Sequence, residues 1–173
     1  MFNRKIKFPT DFWEDTQNRL EFIPGKMPPA SVKITAVKAF LISNKKLLLV
    51  DISRGWDIPT GHINENESPE QALIREVMEE AEIIVRSSIV LGYLKSLKIK
   101  ENSRNHIYPK LSAILVYGSR DFRVTYPFKG KFESRGRKFF PFNEVENAHK
   151  YWSSMMKAIF AYALDKLDTN ITV

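Results

Sequence analysis

GHINENESPEQALIREVMEEAEI, residues 61–83, contains the clearest start of a helix in the chain. Ser68 is a favourable N-cap residue, and Pro69 suits the first helical position. Gln71 completes an S-x-x-Q capping box, in which two backbone amides at the helix start are satisfied reciprocally. The stretch therefore predicts a helix that begins at Pro69 and runs to about Ala81.

The same stretch is unusually rich in carboxylates, because seven of the chain's 13 glutamates lie between residues 65 and 82. At about 100° per helical residue, Glu76, Glu79 and Glu80 share one arc of the predicted helix. Like charges at this spacing repel one another, and oxygen ligands of this kind suit Mg²⁺ or Mn²⁺. The arc indicates either a cation site or a solvated acidic face. The core face is expected beside this arc, at Ile74, Val77, Met78 and Ala81.

The spacing of glycine and charged residues in this stretch resembles the Nudix box of the Nudix hydrolases. That pattern is G-x5-E-x7-R-E-U-x-E-E-x-G-U, where U is a bulky apolar residue. Gly61, Glu67 and the Arg75-Glu76 pair match it, as do the later glutamates, and WDIPTGH at residues 56–62 resembles the usual approach to the box. The second glycine is replaced by Glu82, which predicts either a different helix end or a left-handed residue that costs about 1 kcal/mol.

The resemblance implies an α/β (α+β) fold, an α/β/α sandwich around a mixed β-sheet. It also implies Mg²⁺- or Mn²⁺-dependent hydrolysis of a nucleoside diphosphate linked to another moiety. By position, Glu76, Glu79 and Glu80 become the catalytic and metal-binding carboxylates, with the Thr60 carbonyl as a further ligand. The same mapping makes Gly61, Glu67 and Arg75 the structural part of the box, with Arg75 one turn from Glu79. Which glutamate is the general base stays open.

A basic segment lies further along the chain. Residues 120–138 carry seven Lys or Arg against two acids, a net charge of +5 in a chain of net charge +7. The segment predicts either an anion-binding surface or a solvated hairpin. Glu133 within it is the candidate for one more acidic metal ligand, with charge balance as the alternative. The predicted substrate-binding residues of the segment are Arg123, Phe128, Lys129, Lys131 and Arg137.

Composition restricts the remaining function classes. The absence of cysteine excludes disulfide scaffolds, Cys-liganded zinc, iron–sulfur clusters and a cysteine nucleophile. The longest apolar runs, about five residues, fall far short of the ~20 that a membrane helix needs. With no secretory signal visible, we expect a cytoplasmic protein without a membrane partner. Whether it is a monomer or a homodimer does not follow from the sequence.

The order of predicted elements is strands, helix, strands, helix. An N-terminal extension over residues 1–30, packed on the domain or paired at a sheet edge, precedes a Nudix hydrolase domain over 31–168 and a tail over 169–173. Strands are predicted at 32–42, 47–52, 84–99, 106–118 and 137–142, and an amphipathic helix from about residue 153.

The sequence leaves three candidate functions to be tested. The first is hydrolysis of a phosphoanhydride bond in a small, nucleoside triphosphate-like nucleotide. The second is RNA 5′-end pyrophosphohydrolysis, in which the basic segment holds the RNA chain. The third is a catalytically silent nucleotide-sensing module, against which the intact glutamates argue.

Overall fold

The structure is a computed structural model that describes residues 7–130, 132 and 134–169. Its strands are β1 (Asp11–Trp13), β2 (Asn18–Pro24), β3 (Lys33–Ser43), β4 (Lys46–Ile52), β5 (Gly55–Asp57), β6 (Thr60–His62), β7 (Ile83–Lys98), β8 (Leu111–Val124) and β9 (Gly136–Pro141). Its helices are α1 (Pro69–Ala81), α2 (Val145–Ala148) and α3 (Ser154–Thr169), with a 3₁₀ turn at Glu14–Thr16.

The strands form one mixed sheet in the order β1-β2-β7-β8-β3-β4-β5. β3 and β8 are parallel, whereas the other paired strands run antiparallel. β6 pairs with β3, and β9 pairs with β4. The pairing of β6 with β3 brings residues 60–62 to the middle of the sheet, beside the start of the predicted box.

The side chains of β3 alternate between two cores, as a buried strand requires. One core joins Ala36, Phe40 and Ile42 to α3, and the other joins Val37, Ala39 and Leu41 to α1. Helices therefore cover both faces of a mixed sheet, and the predicted fold class is confirmed.

Two local predictions are confirmed almost residue by residue: the start of α1, and the short connection between the predicted strands 32–42 and 47–52. α1 begins at Pro69 and ends at Ala81, and both hydrogen bonds of the Ser68–Gln71 capping box are present. The β3–β4 hairpin turns at Asn44 and Lys45, whose positive φ angles of 48° and 57° are typical of a two-residue turn.

The predicted core face of α1 is wrong in part. Ile74 is exposed and Met78 is only half-buried, whereas Leu73 and Glu80 are buried with Val77 and Ala81. The buried face lies closer to the carboxylates than periodicity indicated, because the segment that carries β6 packs against α1 on that side.

The predicted strand at 106–118 is also wrong at its start. Residues 99–110 form a loop, and β8 begins only at Leu111 and continues to Val124. Asn102 and Asn105 bond the backbone within this loop, which offers it an alternative to strand pairing.

The N-terminal segment extends the sheet at its edge. β2 pairs with β7 from Asn18 opposite Lys98 to Pro24 opposite Gly92, and β1 pairs with β2. Residues 1–6 and most of the predicted tail, 170–173, lie outside the described residues. Within the described part of the chain, no helix combines the length and the apolar character needed to cross a bilayer.

Candidate active site

The first residue of the box, Gly61, touches the side chain of Glu76. A Cβ atom at Gly61 would lie only 1.8 Å from Glu76 Cδ. Any side chain there would displace the carboxylate. The glycine is therefore required for close approach rather than for backbone freedom, and it leaves a cradle on β6 that the Glu76 carboxylate fills.

Glu80 lies against the neighbouring residue of β6. Its side chain is buried, with the residue only 8% exposed, and the Thr60 amide donates to Oε2 at 3.0 Å. Burial raises the Glu80 pKa to about 7, although the Thr60 hydrogen bond opposes this, and the charge of Glu76 adds to the rise. Glu80 can therefore gain or lose a proton near neutral pH. This hydrogen bond uses the Thr60 amide, and the role of the Thr60 carbonyl as a metal ligand stays a prediction.

Arg75 fastens the loop after β6 to α1. Its Nε and Nη2 donate to the two oxygens of Glu67 at 2.7 and 2.9 Å, and Nη2 also donates to the His62 carbonyl at 2.8 Å. The Asn64 amide donates to Glu67 as well. These hydrogen bonds, the Arg75 bond first, lower the Glu67 pKa to about 2. The fork geometry suits arginine and not lysine.

The remaining guanidinium nitrogen of Arg75 faces the two other glutamates. Nη1 donates to Glu76 Oε1 at 2.8 Å and to Glu79 Oε2 at 3.1 Å. Burial raises the Glu76 pKa, and Arg75 opposes that rise. One arginine thus reaches two of the three carboxylates from the side of the helix that faces the loop.

The donor set fits a hard divalent cation. Glu76, Glu79 and Glu80 supply carboxylate oxygens, and two of them are pressed against the backbone of Thr60 and Gly61. Across residues 7–130 and 134–169, no three acidic or histidine side chains converge in the arrangement of a formed metal cage. Arg75 holds Glu76 and Glu79 as an internal counter-charge, so cation binding at these oxygens competes with its hydrogen bonds.

The C-terminal end of α1 shows how Glu82 takes the place of the second glycine of the box. This residue adopts the left-handed conformation, with φ 49° and ψ 45°, and its amide donates to the Met78 carbonyl. Its carboxylate oxygens accept from the Lys129 amide at 3.0 and 2.9 Å. The position keeps the backbone of a glycine cap, and its side chain also anchors the loop after β8.

Arg137 caps the same helix end. Its guanidinium donates to the carbonyls of Ala81, Glu82 and Thr125. It also lies over the rings of Tyr126 and Phe128, at 5.4 and 5.2 Å from their centroids. The structure thus joins three of the predicted substrate-binding residues, Phe128, Lys129 and Arg137, at the end of α1.

The other predicted residues of the basic segment are less constrained. Arg123 is exposed on β8, opposite Ile84 of β7. Ser134 is buried, and its hydroxyl donates to the Glu80 carbonyl. Glu133 and Lys131 lie outside the described residues, so the predicted acidic ligand from this loop stays a prediction.

A buried ionic cluster beneath β6 was missed by sequence reasoning. Asp57 Oδ1 accepts from the Ile58 amide at 2.7 Å and lies 3.5 Å from Lys38 Nζ and 2.9 Å from His149 Nε2. Burial alone would raise the Asp57 pKa, but Lys38 and these hydrogen bonds outweigh it and hold the pKa below its usual range. The cluster fixes the start of the turn that carries Thr60. Its one sequence signal is a lysine within an apolar strand.

Comparison with known families and structures agrees with this fold. The NUDIX domain model matches residues 32–162. The chain is similar to the Bacillus subtilis pyrophosphohydrolase BsRppH, with TM-score 0.68 and 24% identity over 94% of this chain and 98% of that one. It is also similar to a NUDIX hydrolase from Nitrosomonas europaea, with TM-score 0.57 and 23% identity over 78% of this chain and 92% of that one. A third similar structure is the NUDIX domain of Shewanella oneidensis NrtR complexed with ADP ribose. Its TM-score is 0.53, with 19% identity over 79% of this chain and 89% of that one. No curated protein sequence matches the chain.

Proposed function

Because the chain belongs to the Nudix family and is a pyrophosphohydrolase of that family, we propose that it cleaves a phosphoanhydride bond in a small nucleotide. The proposed substrate is nucleoside triphosphate-like, a nucleoside diphosphate linked to another moiety. The observation that carries the proposal is the placement of Glu76 and Glu80 against the Thr60–Gly61 backbone, with Arg75 beside them.

Glu76, Glu79 and Glu80 are the residues that would hold Mg²⁺ or Mn²⁺, with the Thr60 carbonyl and Glu133 as the further predicted ligands. A bound divalent ion would neutralise phosphate oxygens and make a water molecule more acidic. The chain itself supplies the positions: Gly61 leaves room for Glu76, the Thr60 amide holds Glu80, and Arg75 orients Glu79.

The substrate would extend toward the loop after β8. Arg123 on β8 and Lys129 in this loop are exposed and can meet phosphate oxygens, and Phe128 offers a ring next to Lys129 in the chain. Arg137 has donors committed to the helix end, so we expect it to shape this surface and to add positive charge. Lys131 completes the predicted set. The cytoplasm is the proposed site of action.

The test is release of phosphate and pyrophosphate with Mg²⁺ or Mn²⁺ from a substrate panel. The panel holds nucleoside triphosphates, oxidised ones included, and ADP-ribose, dinucleoside polyphosphates, NADH, coenzyme A and 5′-triphosphate RNA. Turnover of one class should fall about 10²-fold or more in Glu79→Gln and in Glu80→Gln, with the fold retained. Glu65→Gln, an exposed neighbour in the same box, is the matched control and should keep wild-type turnover.

A second candidate, RNA 5′-end pyrophosphohydrolysis, is favoured by the exposed basic surface after β8. If that surface holds an RNA chain, the logarithm of the affinity must fall steeply as the logarithm of salt concentration rises. Affinity that does not change between 50 and 200 mM salt would remove this candidate. Micromolar nucleotide binding without any turnover would instead support a sensing module.

A further inference from the structure

The loop between β7 and β8 reaches the residue that follows Gly61. The Tyr108 hydroxyl lies 2.7 Å from Nε2 of His62, and the two rings are stacked with centroids 5.3 Å apart and planes 11° apart. The carbonyl of His62 accepts a hydrogen bond from Arg75, which also donates to Glu76. Tyr108 therefore sets the orientation of a side chain at the edge of the carboxylate site.

Tyr108 is held in place by a buried asparagine in the same loop. Asn105 is 0% exposed, and its Nδ2 donates to the carbonyls of Thr16 and Lys100 at 2.6 and 2.7 Å. Its Oδ1 accepts from the Asn102 amide at 2.8 Å. The Tyr108 amide in turn donates to the Asn105 carbonyl at 3.0 Å. Both Nδ2 donors and the Oδ1 acceptor of Asn105 therefore have partners, as burial requires.

The loop between β7 and β8 is also held by contacts from the N-terminal segment. Asn102 Nδ2 donates to the Asp15 carbonyl at 3.0 Å, and the Ile99 amide donates to the Gln17 carbonyl at 2.9 Å. Arg104 and Asp15 form an exposed ion pair. Residues 15–17 lie before the part of the chain that matches the NUDIX domain, so a segment outside that match supports a loop at the site.

We propose that Tyr108, held by Asn105 and by residues 15–17, is a positioning residue that fixes the His62 imidazole for contact with the substrate's phosphate groups. The inference rests on the proposed hydrolase function and assigns the N-terminal segment a part in it. A bond from Tyr108 to Nε2 leaves Nδ1 of His62 available to the ligand.

The physical reason is preorganisation. An exposed imidazole rotates about two side-chain bonds, and a ligand that needs one orientation must supply the ordering free energy on binding. Stacking on Tyr108 and the hydroxyl contact order the ring beforehand. One neutral hydrogen bond contributes about 0.5–1.5 kcal/mol, which corresponds to roughly two- to tenfold in apparent affinity.

Steady-state kinetics on the substrate that the wild type hydrolyses test the proposal. Tyr108→Phe keeps the stacked ring and removes the hydroxyl, and should raise KM about three- to tenfold with kcat within about twofold. Tyr108→Leu also removes the ring and should raise KM further. Asn105→Asp replaces the Nδ2 donors by an oxygen and should reproduce the KM effect. Ile107→Ala, at a position 71% exposed in the same loop, is the control and should match the wild type.

A second measurement requires no turnover. Long-range ¹H–¹⁵N spectra resolve the rings of the chain's 3 histidines, and His62→Gln assigns the signal of His62. Its ring shifts should change in Tyr108→Phe and in Asn105→Asp but not in Ile107→Ala. Unchanged KM together with unchanged His62 shifts would overturn the inference and leave the hydrolase function intact.

The turnover of the wild type shows whether the hydrolase proposal, rather than this inference, has failed. If the wild type turns over nothing in the panel, calorimetric binding of α,β-methylene-ATP decides the inference. Weaker binding by Tyr108→Phe than by the wild type would support it. Equal binding by the two, or no binding by either, would overturn it.

Discussion

The carboxylate-bearing face of α1 and its C-terminal end are held by different kinds of contact. On that face Arg75, Glu76 and Glu80 meet Glu67, Gly61 and Thr60, which come from the segment immediately before the helix. The C-terminal end is held from far along the chain, since Lys129 bonds the Glu82 carboxylate and Arg137 bonds the final carbonyls. Short-range contacts place the carboxylates, and long-range contacts place the surface that we propose receives the substrate.

The largest effect is expected from breaking the first region at Gly61. A methyl group in Gly61→Ala would collide with Glu76 Cδ at 1.8 Å and push the carboxylate away from β6. A displacement of about 1 Å in a catalytic group can cost 10²-fold, so turnover should fall by about that factor. The assay is pyrophosphate release by the purified variant.

Gly136→Ala is the matched control for that experiment. An added Cβ at Gly136 has its nearest neighbour at 3.9 Å, which is ordinary contact. Turnover in Gly136→Ala should therefore equal that of the wild type. Equal turnover in both glycine variants would show that the approach of Glu76 to Gly61 is unimportant for activity.

The next effect concerns stability at the Thr60–Glu80 contact. The pKa of Glu80 is about 7 in the folded chain against 4.5 ordinarily, so between these values the unfolded chain releases a proton that the folded chain keeps. Stability must then fall as pH rises from about 4.5 to 7. Glu80→Gln removes this loss and should be more stable than the wild type at pH 8, by about 3 kcal/mol.

Urea unfolding at pH 5 and at pH 8, with a chelator present, measures that difference. The carboxyl of Glu67 titrates with the opposite sign, because its lowered pKa adds stability only as pH rises from about 2 to 4.5. It therefore does not mask the effect. Glu65→Gln should follow the wild type at both pH values, and a Glu80→Gln variant that also follows it would contradict a raised Glu80 pKa.

A smaller effect is expected at Arg75. Lysine keeps the charge in Arg75→Lys but cannot bond both Glu67 oxygens, the His62 carbonyl and Glu76 together. The loop after β6 should loosen and turnover should fall about tenfold. Lys166→Arg, on α3, serves as a control for exchange of basic residues. Full activity in Arg75→Lys would show that the fork is dispensable.

These two regions also differ in how far the sequence predicted them. The capping box at Ser68 and the spacing from Gly61 to Glu80 act within one segment. The capping box placed α1 correctly, whereas the metal-binding role of the carboxylates stays a prediction. The buried face of α1 was predicted too far from Glu80, because periodicity carries no information on which strand packs against the helix.

Contacts between distant segments lay beyond sequence reasoning for the same reason. The Lys38–Asp57–His149 cluster joins three segments, and none of them alone shows that its charges are neutralised by the others. The predicted strand over residues 106–110 failed because Asn105 bonds Thr16, which is 89 positions away. The departure from the box at Glu82 was visible, but its partner Lys129 was not.

The smallest effect is expected at Glu82, where two contributions oppose each other. Glu82→Gly relieves the left-handed backbone, worth about 1 kcal/mol, and loses the carboxylate that accepts from the Lys129 amide, worth a similar amount. Its free energy of unfolding should therefore lie within about 1 kcal/mol of the wild type. Glu82→Ala keeps the backbone strain and loses the carboxylate, so it should be the less stable of the two by about 1 kcal/mol.

Hydrogen exchange of the Lys129 amide separates the two contributions. In Glu82→Gly and in Glu82→Ala this amide loses its acceptor, so its exchange should be faster than in the wild type by a similar factor. The Glu82 amide, which bonds the Met78 carbonyl, should stay protected in Glu82→Gly because the helix end keeps its geometry. An unchanged exchange rate at Lys129 would mean that the Glu82 carboxylate does not hold the loop after β8, and that Thr125, Ser134 and Arg137 hold it to the end of α1 without that carboxylate.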